Sequence, residues 1–141
     1  MNYFLRFTIG NIKLAVPVDE VGEIARPKEI SRKDKLAKYF IGFIELRKET
    51  VPVFDLHEFF AIKPVKRFEV IISDINNSNI GVKVDKVLGI IASQELQSYP
   101  DFVKPEKYLE GFIAYDGSVI QVLSFGKLIS GQRLRAIRKY L

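Results

Sequence analysis

The chain has 141 residues, no cysteine, one histidine, and 22 basic against 17 acidic side chains, for a formal net charge of +5. That length fits one ordinary domain or two small halves sharing a core, and the missing cysteines exclude a disulfide framework and any thiolate metal site. Basic and acidic residues are interleaved, as in RPKEISRKDK, so the positive balance describes a mixed solvated surface better than a nucleic-acid footprint.

The first residues, MNYFLRFTIG, alternate apolar and polar and carry Arg6, which is not the pattern of a secretory leader. No apolar run approaches the roughly 18 residues expected of a membrane span, so a soluble, cytoplasmic protein without direct membrane insertion is expected. Along the chain the dominant period is two: YFLRFTI, IKLAVPV, GFIEL, TVPVF, FEVIISDI, IGVKV, GFIAY and SVIQVL read as short strands. Turn signals separate them at Gly10-Asn11, at Asn76 to Asn79 and at Asp116-Gly117, the last suited to a type I′ hairpin. Alternation places Ile44, Val53, Ile113 and Val122 in the core, and also Phe4, Phe43, Phe54 and Phe112. Helix is scarce. A short one follows Asp55 (LHEFFAI), and residues 131–141 form a basic C-terminal helix with Leu134, Ile137 and Leu141 on one face, where docking on the second barrel would bury them.

Two motifs recur in the same order. KYFIGFI at 38 to 44 returns as KYLEGFI at 107 to 113, with Gly111 lying 69 positions after Gly42. VPVDEVGEI at 16 to 24 returns as VKVDKVLGI at 82 to 90, an offset of 66. The two repeats, near 16–60 and 82–129, predict similar strand-rich units packed about a pseudo-twofold axis, with Gly42 matching Gly111 and Asp19 matching Asp85. Terminal strands exchanged between the units are compatible with this, so contiguous boundaries are not expected.

The segment GFIELRKETVPVFDL (42 to 56), preceded by Val18, Val21, Glu23 and Ile24 and followed by IGVKVDKVLGI and GFIAYDGSVIQVLSFGKLI, resembles the CheW family of chemotaxis coupling proteins. The likeness covers about residues 3 to 130. It implies an all-β fold of two pseudo-symmetric five-stranded SH3-like barrels packed together, with short helices. It also implies a non-catalytic adaptor that joins the cytoplasmic tip of a chemoreceptor (a methyl-accepting chemotaxis protein) to the regulatory domain of a chemotaxis histidine kinase. Such an adaptor is recruited to membrane receptor clusters and needs no cofactor. By the same likeness Val21, Glu23, Ile24, Leu46 and Arg47 line the receptor-binding groove between the barrels, while the kinase face falls on apolar strand ends that the sequence does not assign by residue. The chain departs from the family's usual Asn-Leu-Arg-Gly turn with Glu45-Leu46-Arg47-Lys48, which puts a carboxylate beside the arginine and removes the glycine that readily takes positive φ.

Other chemistries have less to stand on. His57 has no histidine at i+4 and reads as a solvated or capping residue near a helix start. Asp19 and Asp85 tempt as a carboxylate pair, but their equivalent places in the repeats favour strand-end acceptors of backbone N–H bonds. No phosphate-binding glycine loop is present, which leaves an enzyme module in the cleft between halves the weakest reading. A nucleic-acid-binding β-barrel is the main alternative, and it requires basic and aromatic residues on one exposed strand face. A basic stretch at the end of the chain, Arg133, Arg135, Arg138 and Lys139, is its one cluster.

Overall fold

The structure is a computed structural model and describes residues 2–64, 66–92 and 95–141. Eleven strands occur among them: β1 (Tyr3–Ile9), β2 (Ile12–Pro17), β3 (Glu23–Ala25), β4 (Ser31–Arg32), β5 (Phe40–Leu46), β6 (Glu49–Asp55), β7 (Glu69–Ile75), β8 (Ser78–Val84), β9 (Lys86–Ala92), β10 (Leu109–Tyr115) and β11 (Ser118–Leu123). Three helices accompany them: α1 (Leu56–Phe60), α2 (Phe125–Leu128) and α3 (Gly131–Arg138). Two-residue turns with positive φ close the hairpins, at Gly10, at Asn76 and Asn77, and at Asp116 and Gly117, the last pair in the predicted type I′ form.

The strands form two sheets of matching design. One runs β10-β11-β2-β1-β9 and the other β3-β7-β8-β6-β5, with the two-residue β4 added at its edge. In each sheet two antiparallel hairpins are joined through a central parallel pair, β2 with β11 and β8 with β6. Hairpin β1–β2 therefore sits with the C-terminal strands, and β7–β8 with the N-terminal ones. Mostly β, with two small sheets, this is the tandem SH3-like architecture that the resemblance implies.

Gly42 and Gly111 show how closely the designs correspond. Each lies at a register shift in the first strand of its hairpin, β5 or β10. A Cβ on Gly42 would stand 2.2 Å from the Ser31 carbonyl oxygen, and one on Gly111 would stand 2.2 Å from that of Gln97. Only a residue without a side chain lets the crossing segment pair there, as β4 at one place and the Gln97–Phe112 bridge at the other.

Three apolar clusters follow from the alternation. Ile41, Ile44, Val51, Val53, Val70 and Ile72 fill the six-stranded sheet, and Phe4, Ala15, Ile91, Ile113, Ile120 and Val122 fill the five-stranded one. A larger cluster between the sheets takes Leu5, Phe7 and Leu14 from one and Phe54, Ile71 and Val82 from the other. Ile44, Val53, Ile113 and Val122 are buried as expected, and so are Phe4 and Phe54. Phe43 and Phe112 are not core residues. Each immediately precedes an inward isoleucine, so strand alternation turns its ring to the opposite face, where it is only half-buried.

The C-terminal helix also differs from expectation. Leu134 and Ile137 are buried in the cluster between the sheets, but Leu141 lies beyond the last turn and is 57% exposed. The helix is tied to the six-stranded sheet rather than to the five-stranded one that carries β10 and β11: Arg138 donates to Ser78 Oγ (3.1 Å) and to the Asn76 carbonyl, and the Arg133 guanidinium lies over Tyr39 and Phe59.

Truncating Ile44 or Ile113 to alanine empties a matched position in either sheet, and each change is expected to cost roughly 2–5 kcal/mol. Urea unfolding of the two variants checks this, and a loss below about 0.5 kcal/mol in either would mean that the side chain does not face the core.

Candidate functional site

The expected contact residues come from two segments. Val21 follows a 3-10 turn (Val18–Glu20), Glu23 and Ile24 open β3, and Leu46 and Arg47 lie at the tip of hairpin β5–β6. The edge position of β3 leaves its side chains accessible, while pairing of Glu23 with Ile72 and of Ile24 with Ile71 fixes which way each points.

At the hairpin tip both Arg47 and Lys48 have positive φ, 48° and 68°. Lysine thus keeps the left-handed geometry that the family's glycine would take, and the turn carries that backbone cost. Glu45 does not approach the arginine fork. It accepts from Thr50 Oγ1 across the hairpin at 2.9 Å. The fork is taken by Glu23 instead: Arg47 Nη1 donates to Oε2 at 2.9 Å and Nη2 to Oε1 at 2.6 Å. This two-pronged geometry orients both groups. The hydrogen bond from Arg47 holds the Glu23 carboxyl below the usual carboxylate range, opposed by desolvation and aided to a smaller extent by the charge of Arg47. Bonding to Glu23 likewise raises the guanidinium pKa. The arginine side chain remains 73% exposed, so water screens the pair and its value lies in orientation more than in stability.

The three apolar candidates are all half-buried. Val21 and Ile24 lean on the cluster between the sheets, whereas Leu46 packs on that of the six-stranded sheet. The structure therefore joins Glu23 directly to Arg47 and sets the apolar three in two separate packing groups.

A second polar group is buried. His57 is 1% exposed, not solvated, because α1 starts inside the junction between the sheets. Its Nδ1 lies 3.0 Å from Asp55 Oδ1, and its Nε2 makes a short hydrogen bond with Asp85 Oδ1. Lys83 Nζ is 3.7 Å from Asp55 Oδ1 and 3.4 Å from His57 Nδ1. Each ring nitrogen thus faces a carboxylate oxygen and Lys83 is drawn to Asp55, so these polar groups find their partners within the set. Asp55 also caps α1 by accepting the His57 backbone N–H at 2.9 Å. Asp85 Oδ2 accepts the Gly10 N–H at 2.5 Å from the turn of the other sheet. Asp85 thus has the strand-end role expected of it. Asp19 accepts no such bond among the described residues, and its neighbour Glu20 does so instead, taking the Gly126 N–H at 3.0 Å. No three His, Cys, Asp or Glu side chains among the described residues converge where a metal ion could sit.

Two small sheets sharing a core, each built on a bulged-glycine hairpin, define a tandem SH3-like β-module. The chain matches the family model of the CheW-like domain over residues 3–133 and belongs to that family, whose members are non-catalytic adaptor and scaffold proteins of chemotaxis signalling. It is 26% identical to the chemotaxis protein CheW of Klebsiella aerogenes over 141 residues, which takes in 95% of this chain and 85% of the relative. It is 28% identical to the Thermotoga maritima CheW over 129 residues, 89% of this chain and 85% of that one. Protein FrzA of Myxococcus xanthus is 25% identical over 144 residues, covering 96% and 90% of the two chains. The crystal structure of the scaffolding protein TtCheW from Thermoanaerobacter tengcongensis superimposes with a TM-score of 0.80 at 22% identity, over 94% of this chain and 90% of that one. No helix among the described residues is long and apolar enough to cross a membrane.

Two outcomes follow from the ion pair and its turn. In an NMR pH titration the Glu23 carboxyl should titrate below the ordinary glutamate range and return to it in Arg47→Ala; because its folded pKa is depressed, any stabilisation by the pair is present above the unfolded value and is lost as pH falls through the folded one. Replacing Lys48 by glycine should raise stability by about 0.5–1 kcal/mol in thermal unfolding, since the left-handed backbone is already in place.

Proposed function

We propose that this chain couples the cytoplasmic tip of a chemoreceptor to the regulatory domain of a histidine kinase, with the receptor held at Val21, Glu23, Ile24, Leu46 and Arg47. The observation that carries the reading is the exposed Arg47–Glu23 fork beside half-buried apolar side chains. A partner helix meeting this surface finds a polar rim already oriented, so less side-chain entropy is lost on binding. Arginine keeps further donors for a carboxylate or a carbonyl on the partner. Similarity to chemotaxis and scaffolding proteins supports the same role, which would be exercised in the cytoplasm at receptor clusters.

The kinase face belongs on the other sheet. Among the described residues, exposed large hydrophobics such as Ile12, Ile90, Phe102 and Val119 are carried by the five-stranded sheet and its connections, apart from Tyr140 and Leu141 at the C-terminus. Exposed apolar side chains concentrated on one half are what a second protein interface requires. The domain reading places residues 3–130 in the adaptor and 131–141 in a helix that braces the six-stranded half. Nucleic-acid binding is disfavoured by the use of Arg133 and Arg138 inside the protein.

Reversing Arg47 to Glu sets like charges around Glu23, Glu45 and Glu49, and should weaken binding of a receptor cytoplasmic fragment at least about tenfold while the kinase regulatory domain still binds. Val119→Asp should give the opposite pattern. Isothermal titration with each fragment, and melting curves as controls, test both. Unchanged receptor binding by folded Arg47→Glu removes that residue from the site, and parallel loss of both partners argues against separate faces.

A further inference from the structure

The two sheets form equivalent clefts, and the sequence gives them opposite charge. One cleft, of about 660 Å³, is lined by Asn2, Tyr3, Asp19 and Glu20. The other, of about 670 Å³, is lined by Phe68, Glu69, Asp85 and Lys86. Each residue of the second set stands 66 positions after its counterpart in the first, the offset of the repeat itself. The remaining titratable side chain at the first cleft is Glu110. At the second cleft they are Arg26, Lys28, Lys66 and Arg67. A shared architecture explains why both clefts exist. It does not explain why one is ringed by carboxylates and the other by five cations.

The acidic groups of the basic cleft are already occupied. Glu69 Oε2 takes Arg26 Nε at 2.5 Å and its Oε1 accepts the Val87 N–H at 2.7 Å. Asp85 is held by His57 and by the Gly10 N–H. Lys28, Lys66, Arg67 and Lys86 have no carboxylate partner among the described residues and are exposed. Four unpaired cations from three segments therefore face one depression with the half-buried Phe68 in it.

We propose that this cleft binds an acidic peptide segment of a protein partner, at a site separate from the Glu23–Arg47 surface. The lining selects the ligand class. Cations spread around a depression of this size suit carboxylates spaced along a chain better than one compact anion. Arg67 offers a free planar fork for a carboxylate, the lysines offer point charges, and Phe68 with Pro27 gives an apolar contact for a side chain between the acidic ones. The acidic twin cleft repels the same peptide, so its binding has one polarity on the molecule.

The test uses the full chain and a fluorescein-labelled peptide of about ten residues, rich in Glu and Asp around one Phe, read by anisotropy at two salt concentrations. The expected result is salt-sensitive binding with a Kd of about 1 mM or tighter, weakened at least about tenfold in Lys66→Glu/Arg67→Glu and in Lys86→Glu. Asp19→Lys, in the twin cleft, should leave it unchanged, and so should Arg47→Glu, which separates this site from the receptor surface whether or not that reading holds. Melting curves confirm folding, and the milder Lys28→Gln should weaken binding by a smaller factor if a reversal variant fails to fold. Absence of binding, equal binding by the folded reversal variants, or loss in Arg47→Glu overturns the proposal. Tighter, variant-sensitive binding of inorganic phosphate, a short oligonucleotide or phosphatidylserine vesicles also overturns it, in favour of a different anion.

Discussion

The N-terminal hairpin completes a sheet whose other strands begin only at Lys86, and the rest of the molecule is arranged around that exchange. Hairpin β1–β2 brings Leu5, Phe7 and Leu14 to one side of the shared cluster, and β7–β8 brings Ile71, Ile75 and Val82 to the other. Neither set has enough apolar neighbours within its own sheet to leave water. Each sheet has a modest interior of its own and a second apolar face that only its twin can cover, and a half of this length would be marginal alone. The hydrophobic effect is therefore what enforces the pseudo-twofold pairing, and the surfaces read as functional are what this pairing leaves uncovered.

Polar groups at the same junction fix its geometry. Burying Asp55, His57 and Lys83 in an apolar setting would be costly for any one of them alone, yet together with the half-buried Asp85 each has a polar partner in the set. The N–H of Gly10 gives Asp85 a partner on the opposite sheet, and the Asp85 N–H returns the favour by donating to the Thr8 carbonyl at 2.9 Å. Hydrocarbon packing tolerates small slides, whereas these directed bonds do not. They specify one register between the sheets.

Much of this was legible before any coordinates. The spacing between the two GFI motifs marks both bulged hairpins, since the same close backbone contact demands glycine twice, and period-two alternation locates the long strands except β9, whose KVLGIIA does not alternate. Strands β3 and β4 are illegible because three and two residues are too few to show a period, and Phe43 and Phe112 read as core by apolar identity although the phase of their strands turns them outward. His57 looked solvated because its partners lie elsewhere: Asp85 is 28 residues away and the junction that buries them both is a long-range product. The Glu23–Arg47 fork is similar. Resemblance brought both residues to one groove, but their direct bond spans 24 residues and depends on a turn held with Lys48 in the left-handed region. The basic cleft was hidden for the same reason, its cations being scattered from Arg26 to Lys86 among acidic neighbours.

Exchange of hairpins also sets an order of events during synthesis. As the chain leaves the ribosome, β1–β2 emerges first and can close its own turn, but its sheet neighbours β9 and β11 are made last. The six-stranded sheet has all its strands once Val84 is out, so it can assemble while the first hairpin still presents Phe4, Leu5 and Phe7 and both its edges to solvent. Those edges are templates for any other nascent chain until β9 and β11 arrive. Pairing β2 with β11, more than a hundred residues later, makes folding depend on non-local contacts, which form slowly. The topology that gives the finished protein its symmetric core thus leaves the growing one with an unpartnered hairpin until β9 and β11 have been made.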